Sequence, residues 1–124
     1  MRLLLDTHVL LWWLSAQRFR PKAAAAIASA DSDVWVSAAT VWEMSIKAGL
    51  GKLAVPDDLS DQLTHHGFDI LPVGLPHALA VRSLPPHHAD PFDRMLVAQS
   101  QVEDLTLVTR DANIRRYAVR VLQA

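Results

Sequence analysis

Residues 2–6 read RLLLD, three consecutive leucines followed directly by a carboxylate. A short, continuously apolar run of this kind predicts a strand buried on both faces, as in parallel sheets. Four further strands are predicted, at Asp33–Ser37, Asp69–Val73, Leu105–Thr109 and Ala118–Leu122. Hydrophobic spacing predicts helices between them, at Val9–Ala16, Lys22–Ala30, Ala38–Ala48, Pro56–His66, Pro76–Leu84 and Pro91–Val102, with a short one after Asp111. Strands that alternate with helices predict an α/β sandwich around a mostly parallel sheet.

Length and composition indicate one globular domain, residues 1–124. The chain is 51% hydrophobic and 20% charged, which excludes a disordered tail. Because it has no cysteine, a disulfide scaffold, a thiolate zinc site and a cysteine nucleophile are excluded. The apolar stretch 3–14 is interrupted by DTH and lacks the pattern of a secretory leader. We therefore expect no membrane span and a cytoplasmic location.

The acidic residues collect at predicted strand ends and helix starts. Asp6 ends the first strand, Asp111 follows the fourth, and Glu43 lies early in the helix after the second strand. Asp90 and Asp93 bracket the start of the helix before the fourth strand. Because ligands of parallel sheets bind beyond the carboxyl ends of the strands, these acids are expected to converge. Converging carboxylates repel one another, and a divalent cation relieves that repulsion. Oxygen ligands without zinc-type spacing favour Mg²⁺ or Mn²⁺.

Ordinary local structure offers another interpretation of most of these acids. Helix capping and the helix dipole alone would explain three of them, namely Asp90, Asp93 and Asp111. Glu43 fits a capping box with Thr40 and an i,i+4 pair with Lys47. Asp6 has no such explanation, because burial of a carboxylate after three leucines needs a partner and the chain shows no obvious cation for it.

Four segments carry a family resemblance. LLLDTHVLLWW (3–13), TVWEMSIKAGLGKL (40–53), HHADPFDRMLVAQS (87–100) and LTLVTRD (105–111) resemble the PIN-domain ribonucleases, most nearly the VapC-type toxins of bacterial toxin–antitoxin modules. The resemblance runs in order over nearly the whole chain, with a loose match at residues 54–86. It implies a three-layer α/β/α sandwich and an acidic pocket that holds Mg²⁺ or Mn²⁺.

The resemblance also assigns roles to residues. The four acidic positions of the family fall, in order, on Asp6, Glu43, Asp93 and Asp111. The aspartates of this set are expected to ligate the metal, while Glu43 ligates it or orients the attacking water. Asp90 belongs to the DPFDR variant and is expected to be a ligand or a neighbour of the ligands. Thr7 and Thr109 are similar to hydroxyl residues that line the pocket. The implied activity is RNA cleavage by metal-activated water, leaving a 5′-phosphate and a 3′-hydroxyl.

Basic residues near the C-terminus are the candidate RNA contacts. Net charge is −1, so the whole protein is not marked as a nucleic-acid binder. The last segment is locally basic, with arginines at Arg110, Arg115, Arg116 and Arg120. The first three are candidates for contact with the phosphates of a tRNA or rRNA substrate, and a solvated helix face is the alternative. Arg94 is expected to pair with a pocket acid, and His87 and His88 to form a loop at the pocket mouth.

Aromatic residues are the candidate partner contacts. By resemblance, a small antitoxin protein binds near the first helices, where Trp12, Trp13 and the apolar face of 24–28 are expected to contact it. At least one of the two tryptophans is expected to be exposed, because adjacent helix residues face different ways. Trp35 and Trp42 are expected in the core. The family implies a homodimer or a larger toxin–antitoxin assembly.

Other classes of protein fit the sequence less well. A receiver domain requires a late lysine, but the last lysine is Lys52. A phosphatase of the haloacid-dehalogenase type requires an acid two positions after Asp6, where His8 stands. A PIN fold kept as a non-catalytic or RNA-binding module is the remaining alternative, and the intact acids argue against it.

Overall fold

A five-stranded sheet forms the centre of the protein. The structure, a computed structural model, describes residues 1–124. The strands are β1 (Arg2–Leu5), β2 (Asp33–Ser37), β3 (Asp69–Leu71), β4 (Thr106–Thr109) and β5 (Val121–Gln123). Their order in the sheet is β3-β2-β1-β4-β5, and every neighbouring pair is parallel. The predicted parallel sheet is confirmed, with β5 a few residues later than expected.

Six α-helices connect these strands. They are α1 (Thr7–Leu14), α2 (Pro21–Ala28), α3 (Ala38–Gly49), α4 (Leu59–His65), α5 (Leu75–Val81) and α6 (Pro91–Glu103). A 3₁₀ helix, Ile114–Arg116, lies between β4 and β5. Residues 59–65 and 75–81 form shorter helices than the spacing predicts. No helix is long and apolar enough to cross a membrane.

Alternate leucines of β1 face opposite sides of the sheet, as the two-residue period of a strand requires. Leu3 and Leu5 pack in a buried cluster with residues of α1, α2 and α4. Leu4 packs in a second cluster with residues of α6. Helices therefore cover both faces of the sheet, and the three-layer α/β/α sandwich is confirmed.

Two predictions about α3 are wrong. The helix begins at Ala38, where the Ser37 hydroxyl accepts a hydrogen bond from the backbone N–H of Ala39. Thr40 and Glu43 therefore lie inside the helix and form no capping box. Trp42, expected in the core, is 63% exposed, because α3 buries the face that carries Glu43 and turns the tryptophan away from it.

Candidate metal centre

The first two acids lie where β1 and β4 end side by side. Chain order along the sheet reverses between these strands, and in parallel sheets ligands bind at such a point. Asp6 directly follows β1, is 4% exposed and caps α1 by accepting from the N–H of Val9 at 2.7 Å. The hydroxyl of Thr109 donates to its other oxygen. The same hydroxyl accepts from the N–H of Asp111 at 3.0 Å, so one side chain links the two strand ends.

Asp6 has no cationic partner. No lysine or arginine forms an ion pair with it. Burial raises the pKa of its carboxyl above the ordinary value, although the hydrogen bonds from Thr109 and Val9 act in the opposite direction. A buried carboxylate held by neutral donors keeps an uncompensated negative charge whenever it is ionised.

Glu43 reaches the same edge from α3. It is 3% exposed, and both of its carboxylate oxygens are engaged. Thr7 donates its hydroxyl to Oε1 at 2.7 Å, and Lys47 Nζ lies 2.7 Å from Oε2. The hydrogen bond to Glu43 raises the pKa of Lys47, and the predicted i,i+4 pair is confirmed. The carboxylate is thus fixed in one orientation.

The start of α6 supplies two more acids. Asp90 caps the helix, since its Oδ1 accepts from the N–H groups of Phe92 and Asp93 at 2.8 and 3.2 Å. Burial raises the pKa of Asp93 to about 7, with further upward contributions from the charges of Asp90, Asp6 and Glu43. Asp93 therefore lies in the combined negative field of Asp6, Glu43 and Asp90. We call these three residues, together with Asp93 and Asp111, the acidic pocket.

His88, which the sequence places in a loop at the pocket mouth but not among the site residues, lies among these acids. His88 Nε2 is 2.9 Å from Asp111 Oδ2 and 3.0 Å from Asp93 Oδ2. Its Nδ1 accepts from the backbone N–H of Asp90 at 3.1 Å. Burial alone would raise the pKa of Asp111, but hydrogen bonds from His88 and the N–H of Asn113 outweigh it and lower that pKa. Nothing in the HH dipeptide distinguishes His88 from His87; its position two residues before the cap of α6 is the only signal.

The donor set of the pocket fits a hard divalent cation. Ligand atoms of His88, Asp93 and Asp111 all lie within 4.8 Å of one another. Two of these three side chains are carboxylates, whose oxygens Mg²⁺ and Mn²⁺ accept as ligands, and the chain offers no thiolate. The negative charge that raises the pKa of Asp93 is the kind of electrostatic conflict that a bound cation relieves.

Thr7 and Thr109, the predicted pocket hydroxyls, are both buried. Their hydroxyls are directed at pocket carboxylates, Thr7 at Glu43 and Thr109 at Asp6. These contacts position the acids.

The arginines lie outside the pocket. The guanidinium of Arg110 stacks on Trp12, 4.2 Å from the ring centroid, and donates to the carbonyls of Ala124 and Arg18. Arg115 and Arg116 are exposed on the 3₁₀ helix.

Arg94 does not pair with a pocket acid, so that prediction is wrong. It donates to the carbonyls of Val81 and Pro85 and to the hydroxyl of Tyr117. The loop before α6 supplies enough carbonyl acceptors to hold the guanidinium away from the carboxylates.

Trp12 and Trp13 are both half-buried, so neither is as exposed as expected. Trp13 packs against Phe19, His66 and Phe68. It also lines a cleft of about 440 Å³, which we call the Trp13 cleft, together with residues of α2 and of the segment 65–68.

Comparison with known proteins identifies the family. The PIN domain family model matches residues 3–120. The chain belongs to the PIN domain family. No curated protein matches the sequence.

Solved structures with the same fold include three complexes. This PIN domain is 13% identical to a chain of VapBC2 from Rickettsia felis bound to a promoter DNA fragment, with a TM-score of 0.75 over 99% of this chain and 98% of that one. It is 27% identical to a chain of FitAcB from Neisseria gonorrhoeae, with a TM-score of 0.69 over 97% and 96%. It is 20% identical to a chain of a toxin–antitoxin complex from Klebsiella pneumoniae, with a TM-score of 0.65 over 96% and 94%.

Proposed function

We propose that this chain is a single PIN domain, residues 1–124, that cleaves RNA in the presence of Mg²⁺ or Mn²⁺ and acts as the toxin of a toxin–antitoxin pair. Nuclease activity is typical of PIN domains. The observation that carries the proposal is the acidic pocket, in which carboxylates from four parts of the chain lie together without a neutralising lysine or arginine on Asp6 or Asp93. A phosphodiester is itself an anion, so such a pocket needs a cation to accept it.

The side chains of the pocket have distinct proposed roles. The four aspartates that would hold the cation are Asp6, Asp90, Asp93 and Asp111. When bound, the ion would lower the pKa of a water molecule and neutralise charge on the phosphate oxygens. Glu43, fixed between Thr7 and Lys47, would orient the attacking water in line with the phosphorus. Thr109 would keep Asp6 and Asp111 in register at the ends of β1 and β4. Cleavage would leave a 5′-phosphate and a 3′-hydroxyl.

RNA recognition is proposed for the basic C-terminal segment. Arg115 and Arg116 are exposed and form no ion pair, so their guanidinium groups are available to RNA phosphates. Arg110, whose guanidinium stacks on Trp12 and donates to the carbonyl of Ala124, would contribute its positive charge to RNA binding. The substrate class is tRNA or rRNA, and the site of action is the cytoplasm, where these RNAs are used.

A small antitoxin is the proposed partner. The Trp13 cleft and the half-buried ring of Trp12 present aromatic surface beside α1 and α2, and aromatic side chains are favoured in protein interfaces. The similarity to the complexes VapBC2, FitAcB and that from Klebsiella pneumoniae supports this assignment. A homodimer or a larger assembly with the antitoxin is proposed by the same reasoning.

The test uses purified protein, freed of any bound small protein, and end-labelled tRNA and rRNA. We expect cleavage with Mg²⁺ or Mn²⁺, none with EDTA, and a large loss in Asp6→Asn, which keeps the size and capping ability of the side chain. Asp31→Asn is the matched control, because Asp31 is exposed in the turn before β2, at the opposite edge of the sheet. Wild-type cleavage by Asp6→Asn, or cleavage that persists in EDTA, would refute the proposal.

A further inference from the structure

His88 is the only non-acidic side chain that contacts both Asp93 and Asp111. Its Nε2 lies 3.0 Å from one carboxylate and 2.9 Å from the other. The imidazole is 16% exposed, so its position is set by packing as well as by these contacts. His88 therefore stands between two groups proposed to hold the cation.

The hydrogen bonds of the ring define its tautomer. A backbone N–H can only donate, so the bond from the Asp90 N–H makes Nδ1 of His88 an acceptor. The ring proton of the neutral imidazole is then on Nε2, which donates to Asp111. A metal ligand must present a free lone pair, and in this arrangement the Nε2 atom has none to present.

The backbone under this ring is held in place. The N–H of His88 donates to the hydroxyl of Tyr117 at 2.9 Å, and Arg94 donates to the same hydroxyl and to the carbonyl of Pro85. Tyr117 is 5% exposed. With the backbone anchored by these contacts, the His88 ring can leave the acids by rotation of its side chain alone.

We propose that His88 occupies the metal site in the metal-free protein, where its Nε2–H group lies against Asp93 and Asp111. An arriving cation displaces this side chain. The inference rests on the proposed function and deepens it. Because the cation competes with an existing hydrogen-bonded group, His88 lowers the affinity of the pocket for metal and makes loading depend on the metal concentration. Ligation by Nε2 is the opposite outcome, since it requires the proton to move to Nδ1 and breaks the bond from Asp90.

The decisive experiment measures Mn²⁺ affinity by isothermal titration calorimetry at one fixed pH. We expect His88→Ala to bind Mn²⁺ about tenfold more tightly than the parent protein, because the hydrogen bond from His88 to Asp111 no longer competes with the cation. His87→Ala is the matched control: the neighbouring ring packs edge-on against Tyr117, with centroids 5.0 Å apart, and touches none of the acids. Its affinity should equal that of the parent.

A second variant tests the proposal even if His88→Ala fails to fold. His88→Asn retains a side-chain oxygen able to accept from the Asp90 N–H but lacks the Nε2 donor, so it should fold and show the same tightening. In ¹⁵N NMR spectra of the parent, Mg²⁺ should abolish the Nε2 hydrogen bond while the Nε2–H tautomer persists.

The outcomes separate this inference from the proposed function. Equal or weaker Mn²⁺ binding by His88→Ala and His88→Asn, or a Mg²⁺-induced change to the Nδ1–H tautomer, would overturn the role of His88 alone. Failure of the parent and both variants to bind Mn²⁺ would overturn the proposed metal-dependent function and this inference with it. Binding by the variants without detectable binding by the parent would support the inference strongly.

Discussion

Asp93→Asn should stabilise the metal-free protein at alkaline pH while removing an acid needed for the proposed activity. The pKa of Asp93 rises from its ordinary value of 3.8 to about 7, first because of burial and then because of Asp90. A folded-state pKa above the unfolded value means that the folded protein binds more protons between pH 4 and 7. Stability therefore falls as pH rises through this window. The full shift corresponds to about 4 kcal/mol, of which about 3 kcal/mol appears between pH 5 and 8.

Other groups leave the sign of this effect unchanged. Burial also raises the pKa of Asp6, which adds a loss of stability in the same direction. The lowered pKa of Asp111 affects stability only in more acidic solution, and the raised pKa of Lys47 only near pH 10 and above. Among these four groups, Asp93 and Asp6 of the acidic pocket therefore determine the sign of the slope between pH 5 and 8.

The assay is urea unfolding in EDTA, followed by tryptophan fluorescence at pH 5 and pH 8. We expect the parent to lose about 3 kcal/mol over this interval and Asp93→Asn to be about 2–4 kcal/mol more stable than the parent at pH 8. Asp31→Asn, which removes an exposed acid, should follow the parent at both values. Mg²⁺ binds only the folded state and therefore stabilises it. At pH 8 it should stabilise the parent more than Asp93→Asn, because the variant lacks one of the proposed ligands. A parent equally stable at both pH values, or a variant that parallels it, would refute the electrostatic reasoning.

Three further substitutions test neighbouring contacts. Lys47→Met should lower the free energy of unfolding by about 1 kcal/mol, because Glu43 loses a partner that is itself partly exposed to screening solvent; urea unfolding checks this, and Lys47→Arg should restore stability. Thr109→Val should cost about 2 kcal/mol in the same assay, since one buried and one partly buried hydrogen bond are lost, and an unchanged midpoint would contradict the linking role of the hydroxyl. Arg115→Glu with Arg116→Glu should weaken RNA binding and reduce its salt dependence; unchanged affinity in a filter-binding titration would exclude this surface as the RNA contact.

The acidic edge of the sheet is predictable from the sequence because strand ends are recognised from local sequence and parallel strands all end at the same edge. RLLLD marks both a buried strand and the residue that leaves it. In a parallel sheet every strand delivers its carboxyl end to the same edge, so Asp6 and Asp111 meet once β1 and β4 are neighbours. The start of α6 is equally local, since Asp90 caps it and Asp93 follows in the first turn.

Competing local signals explain where sequence reasoning fails. Ser37 and Thr40 are both good caps for α3, and spacing to Glu43 favours the wrong one; Ser37 is the cap because β2 ends there. Trp42 is a residue type usually found in the core, but the buried face of α3 carries the polar residues Thr40 and Glu43 beside Ala39 and Met44. A side chain turned toward a charged site displaces an apolar one from the interior, and composition alone does not reveal this.

The role of His88 depends on contacts that no spacing along the chain describes. His87 and His88 are adjacent and chemically identical, yet one ring packs on Tyr117 and the other enters the acidic pocket. The difference is made by partners 29 and 23 residues away, Tyr117 for the backbone N–H and Asp111 for the ring. Aspartates are found from sequence because the backbone carries them to the edge, whereas this histidine is found only when the loop that orients it is seen. A side chain that occupies a metal site in the absence of the ion must fit the folded pocket. Only the folded structure shows that fit, so the sequence alone does not identify such a residue.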